Sequence, residues 1–223
     1  MAVLHNLSSS RLLASLPYDA EVEYLESRGT PYIDVGLPAT FDGIIAEMEV
    51  YVFDNIDYDY SGPSTQFRVF YGGPRYDNGT SAATLTMYTA LTYKASTQTH
   101  RFALSLNSRS TTNTNNWFDK KIKLIIDGIN HRYSINGNSY GATSLNWNTT
   151  KDGHLSLFGR EDYVTNQAHC RIYSARFSDR VQVLRDFHPV RVNNEGFMFD
   201  KVTRKLFGNC RSTGLPFLIG PDV

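Results

Sequence analysis

Glu21, Glu23 and Glu26, in the stretch "EVEYLE", come nearest by type and spacing to hydrolytic chemistry in this chain. Two carboxyls about 5 Å apart can act as nucleophile and acid on a glycosidic bond, the arrangement behind retention. The stretch alternates like a strand, so Glu21 and Glu23 share one face while Glu26 points to the other. A strand therefore separates the three, and they are expected to be solvated glutamates on an outer strand, without catalytic work. "AEMEVY" (46–51) offers only two carboxylates.

A second group is "DYDYSG" (57–62), with oxygen donors at Asp57, Asp59 and Ser61 and a turn glycine at Gly62. Calcium takes six to eight oxygens, and the position where a bidentate glutamate would complete the loop is Arg68. The reading is a partial calcium site at best, or else an acidic surface loop. A third group is aromatic. Tyr76 lies between Arg75 and Asp77 in "YGGPRYDNG", Trp117 follows "NTNN", and Trp147 sits in "SLNWNTTKDG". Arg160 and Tyr163, in "FGREDY", follow a strand directly and would project from its end. An aromatic face beside amide, guanidinium and carboxylate groups can hold a sugar through its C–H surface. The competing reading is that both tryptophans are packing at the rim, since tryptophan is highly buried on average.

The elements that must position these groups are strands. "AEMEVYVF" (46–53) sets Ala46, Met48, Val50 and Val52 against Glu47, Glu49, Tyr51 and Phe53, and "KIKLII" (121–126) and "HRFALSL" (100–106) alternate in the same way. Similar runs occur at 21–26, 31–35, 65–71, 84–89, 131–135, 154–158, 170–177 and 181–187. Period-two runs separated by turn residues predict an all-β sandwich. "DG" at 127–128 and "NG" at 136–137 read as tight turns. "GFMFDKVTRKLFGN" (196–209) reads as a hairpin that closes the core margin, with Val183 and Phe187 on the preceding strand. "DNIDYDYSGPST" (54–65) and "NSRSTTNTNN" (107–116) read as polar loops. One short N-terminal helix is expected over 8–16, where serines precede Leu12, Leu13 and Leu16 and Pro17 stops the run. At about two turns it is too short to hold alone. Residues 1–19 are therefore read as an anchoring segment and 20–223 as one domain.

The 223 residues are 41% hydrophobic and 13% aromatic, enough for one core. Twenty-two basic residues balance 22 acidic ones, so no global field favours nucleic acid or an anionic membrane. No run of about 18 apolar residues could span a bilayer. The opening stretch does not read as a secretory signal. Cys170 and Cys210 lack metal-ligand spacing and read as free thiols, with a disulfide between them as the alternative, and the six histidines form no zinc pattern.

"EYLESRGTPYIDVG" (23–36) resembles the opening strands of laminin-G-like, concanavalin A-like jelly rolls found in virion proteins of gut bacteriophages and in their Bacteroidetes hosts. The matching close is "RIYSARFSDRVQVLRDFHPVRVNNEGFMFDKVTRKLFGN" (171–209) with the tail "LPFLIGPDV", and "IIDGINHRYSING" (125–137) resembles their mid-chain hairpin. The resemblance spans about residues 21–221. It implies a two-sheet antiparallel jelly-roll sandwich whose chain ends meet. It also implies a non-enzymatic virion protein of head or tail, assembled in the host cytoplasm without a signal peptide. Such a protein would adhere to host or mucosal glycans and form a homo-oligomer, with a trimer expected by analogy with phage fibres. Residues 1–19 would attach it to other virion proteins. The alternatives are a purely structural virion subunit or a glycan-cleaving enzyme of the fold's glucanase branch. That branch carries a Glu-x-Asp-x-Glu or Glu-x-Asp-x-x-Glu strand, which "EVEYLE" departs from at its centre.

Overall fold

The computed structural model describes residues 16–53, 66–73, 76–77, 82–83, 85–94, 97–106, 109–113, 117–141, 145, 147, 150–159, 168–211 and 214–223. Among them there is no helix, and so none long and apolar enough to cross a membrane. Of the helix expected over 8–16, residues 8–15 lie outside the described residues, and Leu16 is not helical.

The chain opens with β1 (Ala20–Glu21), β2 (Leu25–Arg28), β3 (Ile33–Thr40), β4 (Ile45–Val52) and β5 (Gln66–Gly72). Next come β6 (Tyr76–Asp77), β7 (Ala82–Ala83), β8 (Leu85–Lys94), β9 (Thr97–Leu106) and β10 (Arg109–Asn113). The mid-chain strands are β11 (Lys121–Asp127), β12 (Arg132–Ile135), β13 (Asn138–Gly141) and β14 (Thr150–Leu157). The close is β15 (His169–Ser178), β16 (Val183–Val192), β17 (Glu195–Asp200), β18 (Lys205–Phe207) and β19 (Leu218–Ile219). One sheet runs β13-β12-β11-β4-β15-β16-β17-β18, with β2 beside β15, β19 beside β2, and β1 beside β16. The other runs β10-β9-β8-β5-β14-β3. All these pairings are antiparallel.

Period-two alternation builds the core between the sheets. Ile33, Val35, Leu37 and Ala39 of β3 face inward from one sheet, with Tyr71, Leu104, Leu155 and Leu157. Ala46, Met48, Val50 and Val52 of β4 face them from the other, with Ile122, Leu124, Ile126, Ile172 and Phe177. Tyr71 packs on Phe177 across the gap, ring centroids 5.9 Å apart. The arrangement is all-β and antiparallel, consistent with a β-sandwich.

The chain ends meet. Leu218 and Ile219 pair with Glu26 and Leu25, and Val22 bridges to Asp222. The closing hairpin forms as its pattern predicts, with Met198 opposite Phe207 and Phe199 opposite Leu206. Its turn is organised by Asp200, fully buried, whose carboxylate accepts from the Asp186, Val202 and Thr203 amides and the Thr203 hydroxyl. Arg185 ties this corner to the facing sheet by donating from Nε to the Val35 carbonyl at 3.0 Å and from Nη2 to Gly36 at 3.1 Å.

One turn reading and one loop reading differ from the structure. Asn136–Gly137, both at positive φ, make the expected tight turn. Asp127–Gly128 does not: residues 128–131 form a longer connection, because the Asp127 carboxylate accepts from the Ile129 and Asn130 amides and holds it open. Part of the polar stretch 107–116 is also a strand, since Arg109–Asn113 pairs with Phe102–Leu106 at the sheet edge. Residues 16–19, read as part of a separate anchor, are tied to the sandwich at Tyr18 and Asp19. The Tyr18 hydroxyl donates to Glu21, its ring meets His188 and Phe199 edge-on, and Asp19 bonds to Arg191 and Asn193.

Candidate ligand-binding face

The outer face of the larger sheet carries what the core strands turn away from the interior. Opposite the inward set, β4 presents Glu47, Glu49 and Tyr51, and Phe53 follows. β11 presents Lys121 and Lys123, β15 presents His169, Arg171 and Tyr173, and β2 presents Glu26. Register joins residues far apart in sequence: Lys121 lies opposite Tyr51, Tyr51 opposite Arg171, and Arg171 opposite Glu26. One irregularity sharpens the arrangement. The pairing of β15 with β4 slips between Ile172 and Ser174, so Tyr173 is the extra residue of a bulge. Bulges of this kind re-aim a side chain, and the Tyr173 ring sits edge-on to Tyr24 at 5.5 Å.

Glu26 anchors the cluster. It is 4% exposed and accepts from Arg171 Nε at 2.7 Å and from Arg28 Nε at 3.4 Å. His169 Nε2 lies 2.9 Å away. An ionised carboxylate can only accept, so the imidazole must carry its proton on Nε2. Burial pushes the Glu26 carboxyl up, but the bonds and charges of His169 and Arg171 outweigh it and hold the group below the usual carboxylate range. Burial likewise works against the Arg171 charge, and Glu26 more than restores it. The guanidinium lies 4.3 Å from the Tyr24 ring centre, 5.0 Å from Phe53 and 5.6 Å from Tyr51. Phe53 stacks on the His169 imidazole at 4.0 Å. Lys121 sits 4.1 Å over the Tyr173 ring and 3.0 Å from Glu49.

The rings are half-buried and held by cations set over them, with polar groups between. Such a surface can stack the C–H face of a sugar and bond its hydroxyls. It is poorly suited to acid–base chemistry, because Glu26 is ionised and its oxygens are already occupied. The expectation that Glu26 is solvated is corrected here: β2 continues between β15 and β19, and cationic and aromatic neighbours cover the carboxylate. Glu21 and Glu23 are exposed, as expected.

Of the loop residues read as ligand-binding, Arg75, Arg160 and Tyr163 lie outside the described residues, as do Asp57, Asp59 and Ser61 of the calcium reading. Tyr76 and Asp77 form β6, paired with β7. The two tryptophans are packed. Trp147 is 2% exposed and stacks on His131 at 5.3 Å, so its ring offers no open face to a sugar. Trp117 is half-buried against the core, its indole N–H buried without an acceptor among the described residues. Cys170 and Cys210 are both free thiols, the first buried and the second exposed.

The residues that form the face were missed as a site because all but Tyr24 and Phe53 lie on strands, and those two adjoin one. The signal was present in the outward set Glu47, Glu49, Tyr51 and Phe53, and in the alternation of His169, Arg171 and Tyr173 with Cys170 and Ile172. Aromatic and cationic residues on a sheet face turned to solvent call for an explanation that alternating polar residues do not. The chain matches no family model, no curated protein and no solved structure.

Proposed function

We propose that this chain is a non-catalytic glycan-adhesion module of a bacteriophage virion, built as a jelly roll and displayed on head or tail. The observation that carries the adhesion reading is the guanidinium-backed aromatic face of Tyr24, Tyr51, Phe53, Arg171 and Tyr173. The virion reading rests on the resemblance of the opening and closing segments. Those segments pair in one sheet through β2, β15, β16 and β19. Residues before Leu16 attach the module to other virion proteins or to further copies of itself. A single site of this kind binds weakly, with Kd of order 1 mM or roughly −4 kcal/mol, so adhesion needs several copies together.

Mass spectrometry of purified phage particles tests the virion reading: the chain should co-purify with intact particles, and its absence from them would remove it. Deleting residues 1–15, which keeps Tyr18 in place, should leave the melting temperature unchanged and abolish particle attachment. A multivalent form applied to bacterial-capsule and mucin glycans tests the adhesion reading. Retention should fall in a Tyr51→Ala/Tyr173→Ala variant that still folds. Absence of binding to any glycan, with assembly lost in that variant, would leave a structural subunit instead.

A further inference from the structure

The aromatic cluster is one end of a longer track on the same sheet face. Two residues along β11 from Lys121 lies Lys123, and two further lies Ile125, in register with Ser134, which is itself opposite Ser139. There an open cavity of about 230 Å³ is lined by Ile125, Arg132, Ser134 and Ser139 among others. From Arg171 on β15 to Ser134 on β12 is three strand spacings across the sheet and four residues along it. Each leg is about 14 Å, for a diagonal of about 20 Å. Between the ends lie Lys121 paired with Glu49 at 3.0 Å and Lys123 paired with Glu47 at 3.5 Å, side chains between 36% and 57% exposed.

Charge along this track is mostly balanced in pairs, with Arg176 exposed beside Glu47 at its margin. Arg171 meets Glu26, Lys121 meets Glu49, Lys123 meets Glu47, and Arg132 meets Asp127 at 3.2 Å. A face that recruited a polyanion would leave its cations uncommitted. Here the ion pairs leave donors and acceptors alternating across the strands, a pattern suited to hydroxyls. The aromatic end offers stacking, and the far end offers two serine hydroxyls in a concavity.

We propose that the outer face binds a linear, uncharged oligosaccharide of about four sugars, one end stacked on the Arg171–Tyr173 cluster and the other seated in the Ser134–Ser139 cavity. This rests on the adhesion reading and adds the ligand's length, charge and direction.

The test is calorimetric titration of the full chain with neutral gluco-, manno- and xylo-oligosaccharides of one to six units, beside an oligogalacturonate series. For at least one neutral series, affinity should rise about tenfold or more between two and four units and then level off. Ser139→Tyr, an exposed substitution on the edge strand β13, should fill the cavity. It should abolish the gain from the third and fourth sugars while leaving disaccharide affinity unchanged. Affinity independent of length, or equal loss for short and long chains in the variant, would overturn the track and leave adhesion at the aromatic end intact. Preference for oligogalacturonate would overturn the charge argument and with it the proposal. Failure of every sugar to bind would overturn both the track and the adhesion reading beneath it.

Discussion

Glu26→Gln isolates the anchor of the candidate face. The substitution preserves size and removes the charge that satisfies Arg171 and His169, while presenting an amide N–H₂ toward one of those donors. Breaking a fully buried ion pair by removing one partner costs about 3–5 kcal/mol. The partners here retain 29% and 23% side-chain exposure, so water replaces part of what is lost. A cost of about 2–3 kcal/mol follows, or roughly 5–10 °C in melting temperature for a chain of this size. The pH dependence has a definite sign. The folded-state carboxyl titrates below its unfolded value, so its contribution is present above the ordinary glutamate range. It is lost as pH falls through the lower, folded value. Thermal melts of wild type and variant from pH 7 down to about pH 2.5 should therefore converge at the acid end. A difference under about 1 °C at pH 7, or one that persists unchanged at the acid end, would refute the reading of Glu26 as a paired, ionised anchor.

Gly128→Ala should cost about 3 kcal/mol or more, because a Cβ there would fall within the Phe41 carbonyl group and 2.8 Å from the Ile44 carbonyl oxygen. Chemical denaturation measures it, and a change under about 0.5 kcal/mol would contradict the close backbone approach. Thiol titration of the native chain should label Cys210 and spare Cys170, whose thiol burial pushes far above the usual range, with the Glu26 charge adding to the effect. Labelling of both at similar rates would show that the β15 end opens readily.

Much of the fold was legible because alternation is a local signal. Ala46 to Val52, Ile122 to Ile126 and the closing hairpin can each be read from a handful of residues, since the core demands one face of each strand. Strand partners are a different matter. That Glu26 is buried follows from β15 lying beside it, carrying Arg171 some 145 residues away. Nothing in "EVEYLE" announces that neighbour. Gly128 shows the same limit: "DG" signals a tight turn locally, but here the glycine makes room for Phe41, and the aspartate holds a longer connection. The tryptophans left two readings open, which their flanking residues could not decide. Polar residues around Trp147 resemble an exposed loop, yet the indole inserts into the core beside His131. The candidate face was illegible as a site because register, not spacing, brings Tyr24, Tyr51 and Arg171 together.

The central claim is that the guanidinium-backed aromatic face holds sugars. It is tested most directly by applying a multivalent form of the chain to a glycan array, beside a Tyr51→Ala/Tyr173→Ala variant of matched folding. The account predicts retention on at least one neutral glycan, reduced about tenfold or more in the variant. Retention unaltered by the loss of both rings, or none on any glycan, would contradict it.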